Sequence, residues 1–304
     1  MDIVIPMKKP KTTVLLFFTI MLGTFVAILT AYPVKTTNPL MIITTLTCIN
    51  ASVSFLFGLL TEDYSWTDRL WSTVPVGFAW IYASNASFSP SVTVAAMLIT
   101  LWGIRLTANF ARRGGYADTE DYRWSILRKR IPNRFLWQVF NLLFIAFYQQ
   151  LLFVCFTLPL YFLTVTLEKT LSAGILVSSV AMLAFLTLET FADQQQYTFQ
   201  QAKYGLLPKQ KELEEEYKKG FRTSGLFLRS RHPNYLGELG FWWSLFAFCA
   251  AGTKTLFSPA LLGPLMLTLL FIGSTVFTEQ ITTSKYPQYK EYKKQTWPIL
   301  FRPW

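Results

Sequence analysis

The chain has 304 residues, with 28 Lys and Arg against 17 Asp and Glu, which gives a formal net charge of +11. Hydrophobic residues make up 52% of it and charged residues 15%, and the mean hydropathy is +0.33. Because an ordinary soluble domain carries about 25% charged residues, this composition excludes a disordered chain and disfavours a soluble enzyme. Three cysteines without CxxC spacing and a single histidine, His232, give no support for a disulfide framework or a metal site.

Long apolar runs predict an all-α protein, a polytopic transmembrane bundle of about seven or eight spans, because about 20 apolar residues cross a bilayer. The third run is interrupted by Pro75, and the fifth contains Pro159, which favours a tilt or kink. The predicted spans are Val14–Tyr32, Leu40–Leu60, Leu70–Phe88, Val92–Ala111, Leu136–Leu163, Leu171–Phe191, Tyr235–Ala251 and Leu256–Phe277.

The basic residues predict the orientation of these spans. With eight spans and both termini cytoplasmic, only Lys35, Lys169 and Lys254 lie on the opposite side. The basic loops therefore indicate topology, and no soluble basic domain supports a nucleic-acid partner. The predicted environment is a lipid bilayer, in the endoplasmic reticulum of a eukaryote or the plasma membrane of a bacterium.

The start of the seventh span is the first candidate site. Pro233 suits the first turn of a helix, and Asn234 and Glu238 share a face because they are four residues apart. An ionisable side chain inside a span is a functional candidate by default, since lipid does not solvate it. The alternative is that Glu238 pairs with Arg231 and that the other polar residues are interfacial anchors. Two arginines and the single histidine precede the span, namely Arg229, Arg231 and His232.

Three further places carry polar groups near helix ends. Glu189, Asp193 and Tyr197 form a stripe at helical spacing that suits a ligand lying along the sixth span, although a solvated helix end gives the same pattern. Arg105 near the end of the fourth span either joins a site or extends to the membrane surface. Asp68 precedes the third span, where an interfacial charge pair is the alternative.

The chain has no GxGxxG, GxxxxGK[ST], HExxH or GxSxG sequence, so the common motifs for dinucleotide binding, phosphate binding, zinc proteolysis and serine hydrolysis have no support.

The stretch from Leu226 to Trp243, which contains Arg-His-Pro-Asn-Tyr-Leu-Gly-Glu, resembles the signature of the membrane steroid 5α-reductase superfamily. It is closest to the DUF1295 family of multi-span proteins. The stretches 68–75, 102–105, 120–123, 188–193 and 289–298 fit the same pattern. The resemblance covers residues 65–304, which predicts a reductase-like membrane domain there and an N-terminal transmembrane hairpin over residues 1–64.

This resemblance implies that NADPH binds between cytoplasmic helix ends and reduces an activated C=C bond of a lipophilic, steroid-, sterol- or isoprenoid-like substrate. Asp193, Asn234 and Glu238 match cofactor-contacting positions, whereas Glu189 stands where the reductases have an Asn. The other candidate cofactor residues are Arg105, Arg123, Tyr197, Arg229, Arg231, His232, Tyr235 and Tyr289.

The catalytic pair of the steroid enzymes is a Glu and a Tyr on earlier helices, and the matching residues here are Asp68 and Trp102. An indole N–H does not release its proton as a phenol does, so a 3-keto-steroid substrate is disfavoured. Two other hypotheses stay open. One is an S-adenosylmethionine-dependent membrane methyltransferase resembling the isoprenylcysteine carboxyl methyltransferases, and the other is a non-enzymatic lipid-binding membrane protein.

Overall fold

The computed structural model describes residues 12–117, 120–166 and 171–303, and these residues form helices with no β-strand. An all-α fold is therefore confirmed. The α-helices are α1 Thr12–Ala31, α2 Pro39–Thr61, α3 Trp66–Leu70, α4 Val74–Asn85, α5 Pro90–Arg112, α6 Tyr122–Arg130, α7 Arg134–Phe140, α8 Gln149–Val165, α9 Ala173–Lys203, α10 Glu214–Lys219, α11 Pro233–Thr253, α12 Leu262–Lys285 and α13 Tyr289–Gln295.

Six segments of the described chain are long and apolar enough to cross a membrane, which supports an integral membrane protein. They are α1, α2, α5, the continuous stretch Arg134–Val165, α9, and Pro259–Lys285, which contains α12. Each corresponds to one of the predicted spans. Lys8, Lys9, Lys11 and Lys169, on which part of the predicted orientation depends, lie outside the described residues.

The two remaining predicted spans have a different form. In place of a helix over Leu70–Phe88, the chain has α3, a turn, and then α4, in which Pro75 occupies the first turn. Proline lacks the N–H that a continuing helix needs, so a new helix begins there. α4 has 12 residues, which at 1.5 Å per residue is too short to cross a bilayer. α11 replaces Tyr235–Ala251 and has 21 residues, but it is not among the six.

The predicted run Leu136–Leu163 is divided between three helical segments. α7 is followed by a π-helix, Asn141–Tyr148, and then by α8, which contains Pro159. A π-helix has wider i→i+5 hydrogen bonding and is frequent at functional sites. The sequence predicts a tilt or kink at Pro159, but α8 continues through this residue, and the π-helix ends more than two turns before it.

The described residues form two compact units. The first contains residues 12–176 and 246–263, with the gaps named above. In it α4 packs against α5 and α8, and α2 packs against the π-helix and α8. Trp102, Tyr82, Phe153 and Phe156 are among its fully buried side chains.

The second unit contains residues 177–245 and 264–303. Phe199 and Tyr217 stack with their ring centroids 5.0 Å apart, so α9 is packed against α10. Phe221 joins Tyr289 and Tyr292 of α13 in another buried cluster. The sequence also predicts a boundary between an N-terminal hairpin, residues 1–64, and a reductase-like domain, residues 65–304. This boundary is based on sequence resemblance and not on packing, so it stays a prediction.

Candidate functional site

The polar stripe of α9 is buried in the second unit. Glu189 and Asp193, one turn apart, are 5% and 4% exposed, and Tyr197 is half-buried one turn further along. Two carboxylates at that depth need hydrogen-bond donors or a ligand, because a buried charge is costly without them. The stripe is therefore part of a packed site rather than a solvated helix end.

The start of α11 approaches this stripe closely. The Asn234 amide Nδ2 donates to Asp193 Oδ1 at 3.3 Å. A Cβ on Gly237 would lie 2.5 Å from the Glu189 Cβ and 2.9 Å from its main-chain nitrogen, so only glycine permits this separation of the helices. Glu238, one turn beyond Asn234, is buried and accepts a 2.9 Å hydrogen bond from Trp242 Nε1. The structure thus joins Asp193 to Asn234 and packs α11 directly against Glu189, while Glu238 is buried one turn further along α11.

Arg231 and His232 are engaged by a residue outside the predicted site. Arg231 donates to both carboxylate oxygens of Glu279, at 2.6 and 3.2 Å, and His232 Nε2 lies 3.1 Å from Glu279 Oε1. Lys293 Nζ is 3.2 Å from the same carboxylate. The alternative in which Arg231 pairs with Glu238 is wrong, because Glu279 of α12 takes the arginine in a bidentate pair.

The C-terminal segment is hydrogen-bonded to the residues that precede α11. The main-chain N–H groups of Arg231 and His232 donate to the carbonyls of Trp297 and Pro298, each at 2.9 Å. Arg302 N donates to the Arg229 carbonyl at 2.8 Å. The segment therefore holds the Arg-His-Pro turn in place through main-chain as well as side-chain contacts.

The remaining predicted residues of the second unit make packing contacts. The Tyr235 ring stacks on His232 with a centroid distance of 4.9 Å, and Arg229 lies 5.5 Å from the Phe301 ring. Tyr289 is buried, which raises the pKa of its hydroxyl, and its ring contacts Phe221 at 5.0 Å. A phenol in such a cluster is a structural group, so the structure gives Tyr289 no direct place in the α9–α11 site.

Asp68 belongs to a polar cluster in the first unit. Trp124 Nε1 donates to Asp68 Oδ2 at 2.6 Å. Arg123 is held by Asp121 in a bidentate pair at 2.8 and 2.9 Å, and the Asp121 N–H donates to Ser65 Oγ at 2.9 Å. Arg123, a predicted cofactor residue, is thus neutralised by the carboxylate that caps its own helix.

The other predicted residues of this unit lie on α5. Trp102 is fully buried, and Arg105 is half-buried one turn later. A Cβ on the intervening Gly103 would lie 2.7 Å from the Ser72 carbonyl oxygen, and Ser72 Oγ is 2.7 Å from Thr107 Oγ1. α5 therefore packs against the turn that follows α3, the helix that contains Asp68.

Burial raises the pKa of Asp68 to about 6, although the Arg123 guanidinium opposes the shift. Because the folded-state pKa lies above the unfolded value, the folded state binds more protons between about pH 4 and 6, and unfolding free energy falls as pH rises through that window. We expect Asp68→Asn to remove about 2 kcal/mol of this pH dependence, allowing for the side chain's partial exposure. Denaturant titrations at pH 4.5 and 7.5 measure the free energy of unfolding of the wild type and of Asp68→Asn. The same change in this free energy between the two pH values in both proteins would contradict the expectation.

Three residues that make buried polar contacts in the structure were not identified from the sequence. Glu279 is 3% exposed inside an apolar helix, and that position was itself a signal. Arg69 is fully buried and pairs with Asp63 at 2.6 Å, but its place before a span resembles that of an ordinary interfacial arginine. Trp124 carries no sequence signal for its hydrogen bond to Asp68, since the two are 56 residues apart.

Comparison with known proteins gives a family but no activity. An uncharacterized protein of Schizosaccharomyces pombe is 31% identical over 272 residues, which cover 84% of this chain and 78% of the relative. No solved structure matches the chain. The family model described as "Protein of unknown function (DUF1295)" matches residues 54–296. The chain therefore belongs to the DUF1295 family.

Proposed function

We propose that this protein is a membrane-embedded, NADPH-dependent oxidoreductase that reduces an activated C=C bond of a lipophilic substrate. The observation that supports the proposal most strongly is the hydrogen bond between Asn234 and Asp193, in a buried cluster with Glu189 and Glu238. These are the residues that the resemblance to the steroid 5α-reductases assigns to the cofactor. Membership of DUF1295 agrees with a membrane protein and leaves the reaction open.

The hydrogen-bonding groups of the cluster fit the polar parts of NADPH. Carboxylates accept hydrogen bonds from ribose hydroxyls and from a carboxamide NH₂, and an Asn both donates and accepts. Asp193, Asn234 and Glu238 would hold these groups, and Arg229 is the proposed partner of a phosphate. When bound, NADPH supplies the hydride.

The chain's own residues would bind and orient the cofactor and exclude water. The close approach of Gly237 to Glu189 leaves no room for solvent between the helices at that level. Val177 and Val180 are exposed on α9, which gives a lipophilic substrate an apolar surface within the second unit. The roles of Asp68 and Trp102 in polarising the acceptor rest on the resemblance alone.

One observation favours methyl transfer from S-adenosylmethionine as a second candidate. Arg231, His232 and Arg123, all proposed as cofactor cations, are each paired with a carboxylate. A ligand without phosphates needs no such cations, and the buried carboxylates of α9 and α11 suit an ammonium or sulfonium group. Binding of the two cofactors therefore has to be compared directly.

We expect NADPH to raise the melting temperature of the detergent-solubilised protein, and Asn234→Ala to abolish this rise, because a ligand that binds only the folded state stabilises it by mass action. At a hundredfold excess over Kd the stabilisation is about 2.7 kcal/mol. The control is Gln210→Ala, which removes an exposed amide of the same chemistry. A rise with S-adenosylmethionine alone would refute the reductase, and a rise with neither would favour a non-enzymatic lipid-binding protein.

A further inference from the structure

A polar cavity of about 330 Å³ lies in the first unit, where α1 begins and α2 ends. Thr13 lines it from the first turn of α1, and Thr61 and Glu62 line it from the end of α2. The start of one span and the end of the next lie at the same edge of a membrane. The cavity is therefore at the depth of lipid headgroups rather than of acyl chains.

Arg69 gives this cavity an incompletely satisfied hydrogen-bond donor. Its side chain lines the cavity, is fully buried, and lies 4.5 Å from the Trp66 ring. Arg69 Nη2 donates to Asp63 at 2.6 Å and Nε donates to the Gly115 carbonyl at 3.2 Å. Among the described residues Nη1 has no hydrogen-bond acceptor. A buried donor of this kind is costly, which points to an oxygen acceptor that the described residues do not supply.

The same cavity has an excess of carboxylates. Asp63, Glu62 and Glu120 line it, against Arg69 as the one cation among its described lining residues. Asp63 is paired with Arg69, and Glu120 is 3.2 Å from Arg128. Glu120 also accepts a 3.0 Å hydrogen bond from the Tyr64 N–H, so both of its carboxylate oxygens have partners. Glu62 is in no ion pair with the residues described. A cation beside Glu62 would balance the remaining charge.

We propose that the cavity binds a phosphoethanolamine group, with a phosphate oxygen accepting from Arg69 and the ammonium lying beside Glu62. A zwitterion matches the cavity, which offers, among its described residues, both an unsatisfied donor at Arg69 and an unpaired carboxylate at Glu62. Phosphatidylethanolamine and free phosphoethanolamine share this chemistry. Leu15 and Leu16, which follow Thr13 on α1, are 56% and 52% exposed and give acyl chains an apolar surface. This proposal is independent of the proposed enzymatic activity.

The test is the melting temperature of the full chain in detergent, titrated with dihexanoyl phosphatidylethanolamine, dihexanoyl phosphatidylglycerol or free phosphoethanolamine. We expect a saturable rise with the ethanolamine lipid and none with the glycerol lipid. Glu62→Gln removes one partly exposed charge contact, so we expect a Kd about two- to fivefold weaker. Glu212→Gln, the same change at an exposed residue of the second unit, should leave the Kd unchanged.

The three probes distinguish recognition of the free headgroup from recognition of the whole lipid. A rise with free phosphoethanolamine as well identifies the headgroup as sufficient, whereas a rise with the lipid alone adds the acyl chains to the contact, and both support the proposal. An equal rise with phosphatidylglycerol, no rise with any probe, or an unchanged Kd in Glu62→Gln would overturn it.

Discussion

Replacing Glu279 with leucine is expected to destabilise the protein by about 3–5 kcal/mol, because it leaves the buried Arg231 guanidinium without its counter-charge. Arg231 and His232 both contact this carboxylate, and the Arg231 side chain is only 8% exposed. Arg231 also donates to the carbonyls of Lys293 and Thr296, so its displacement would release the C-terminal segment. The measurement is thermal unfolding followed by near-ultraviolet circular dichroism in detergent.

Glu291→Leu is the matched control for this substitution. Glu291 is also paired with a lysine, Lys294 at 2.8 Å, but both side chains are more than half exposed. An exposed pair contributes about 0–1 kcal/mol, so the control should unfold close to the wild-type temperature. Equal losses in the two variants would show that the Arg231–Glu279 pair is not a structural anchor.

The second large effect is expected at Gly237, where alanine should destabilise the protein by about 1–3 kcal/mol and weaken cofactor binding. The added Cβ would lie 2.9 Å from the main-chain nitrogen of Glu189, and main chain within a helix has little freedom to move away. Separation of α9 from α11 would also lengthen the 3.3 Å hydrogen bond from Asn234 to Asp193. Thermal unfolding measures the first effect and NADPH titration the second.

Gly273→Ala controls for the substitution itself. Gly273 also lies within a helix of the second unit, but no atom lies within 4 Å of its Cβ position. Alanine is favoured over glycine in a helix by about 1 kcal/mol, so this variant should be as stable as the wild type or more so. If Gly237→Ala behaved in the same way, the close approach of the two helices would not be a constraint.

The apolar spans could be predicted because hydropathy over about 20 residues is a strong and local signal. Six predicted spans correspond to long apolar segments of the structure. The break at Pro75 and the π-helix from Asn141 depend on local hydrogen bonding rather than on average hydropathy. Hydropathy alone therefore overestimates the length of the third span and misses the geometry of the fifth.

The buried α9–α11 cluster could also be predicted, because helical spacing places Glu189 and Asp193 on one face and Asn234 and Glu238 on another. Their mutual contact follows from the packing of two distant segments. The partner of Arg231 could not be found by spacing, since Glu279 is 48 residues away in sequence. Ion pairs of this kind follow from tertiary structure, which a single sequence does not specify.

The most direct test of the central claim is an equilibrium titration of the purified protein in nanodiscs with NADPH, followed by the fluorescence of the nicotinamide. We expect saturable binding that is lost in Asp193→Asn and Asn234→Ala, while Gln210→Ala binds as the wild type does. Absence of saturable NADPH binding in a correctly folded wild-type sample, or binding that is unaffected by both site substitutions, would contradict it.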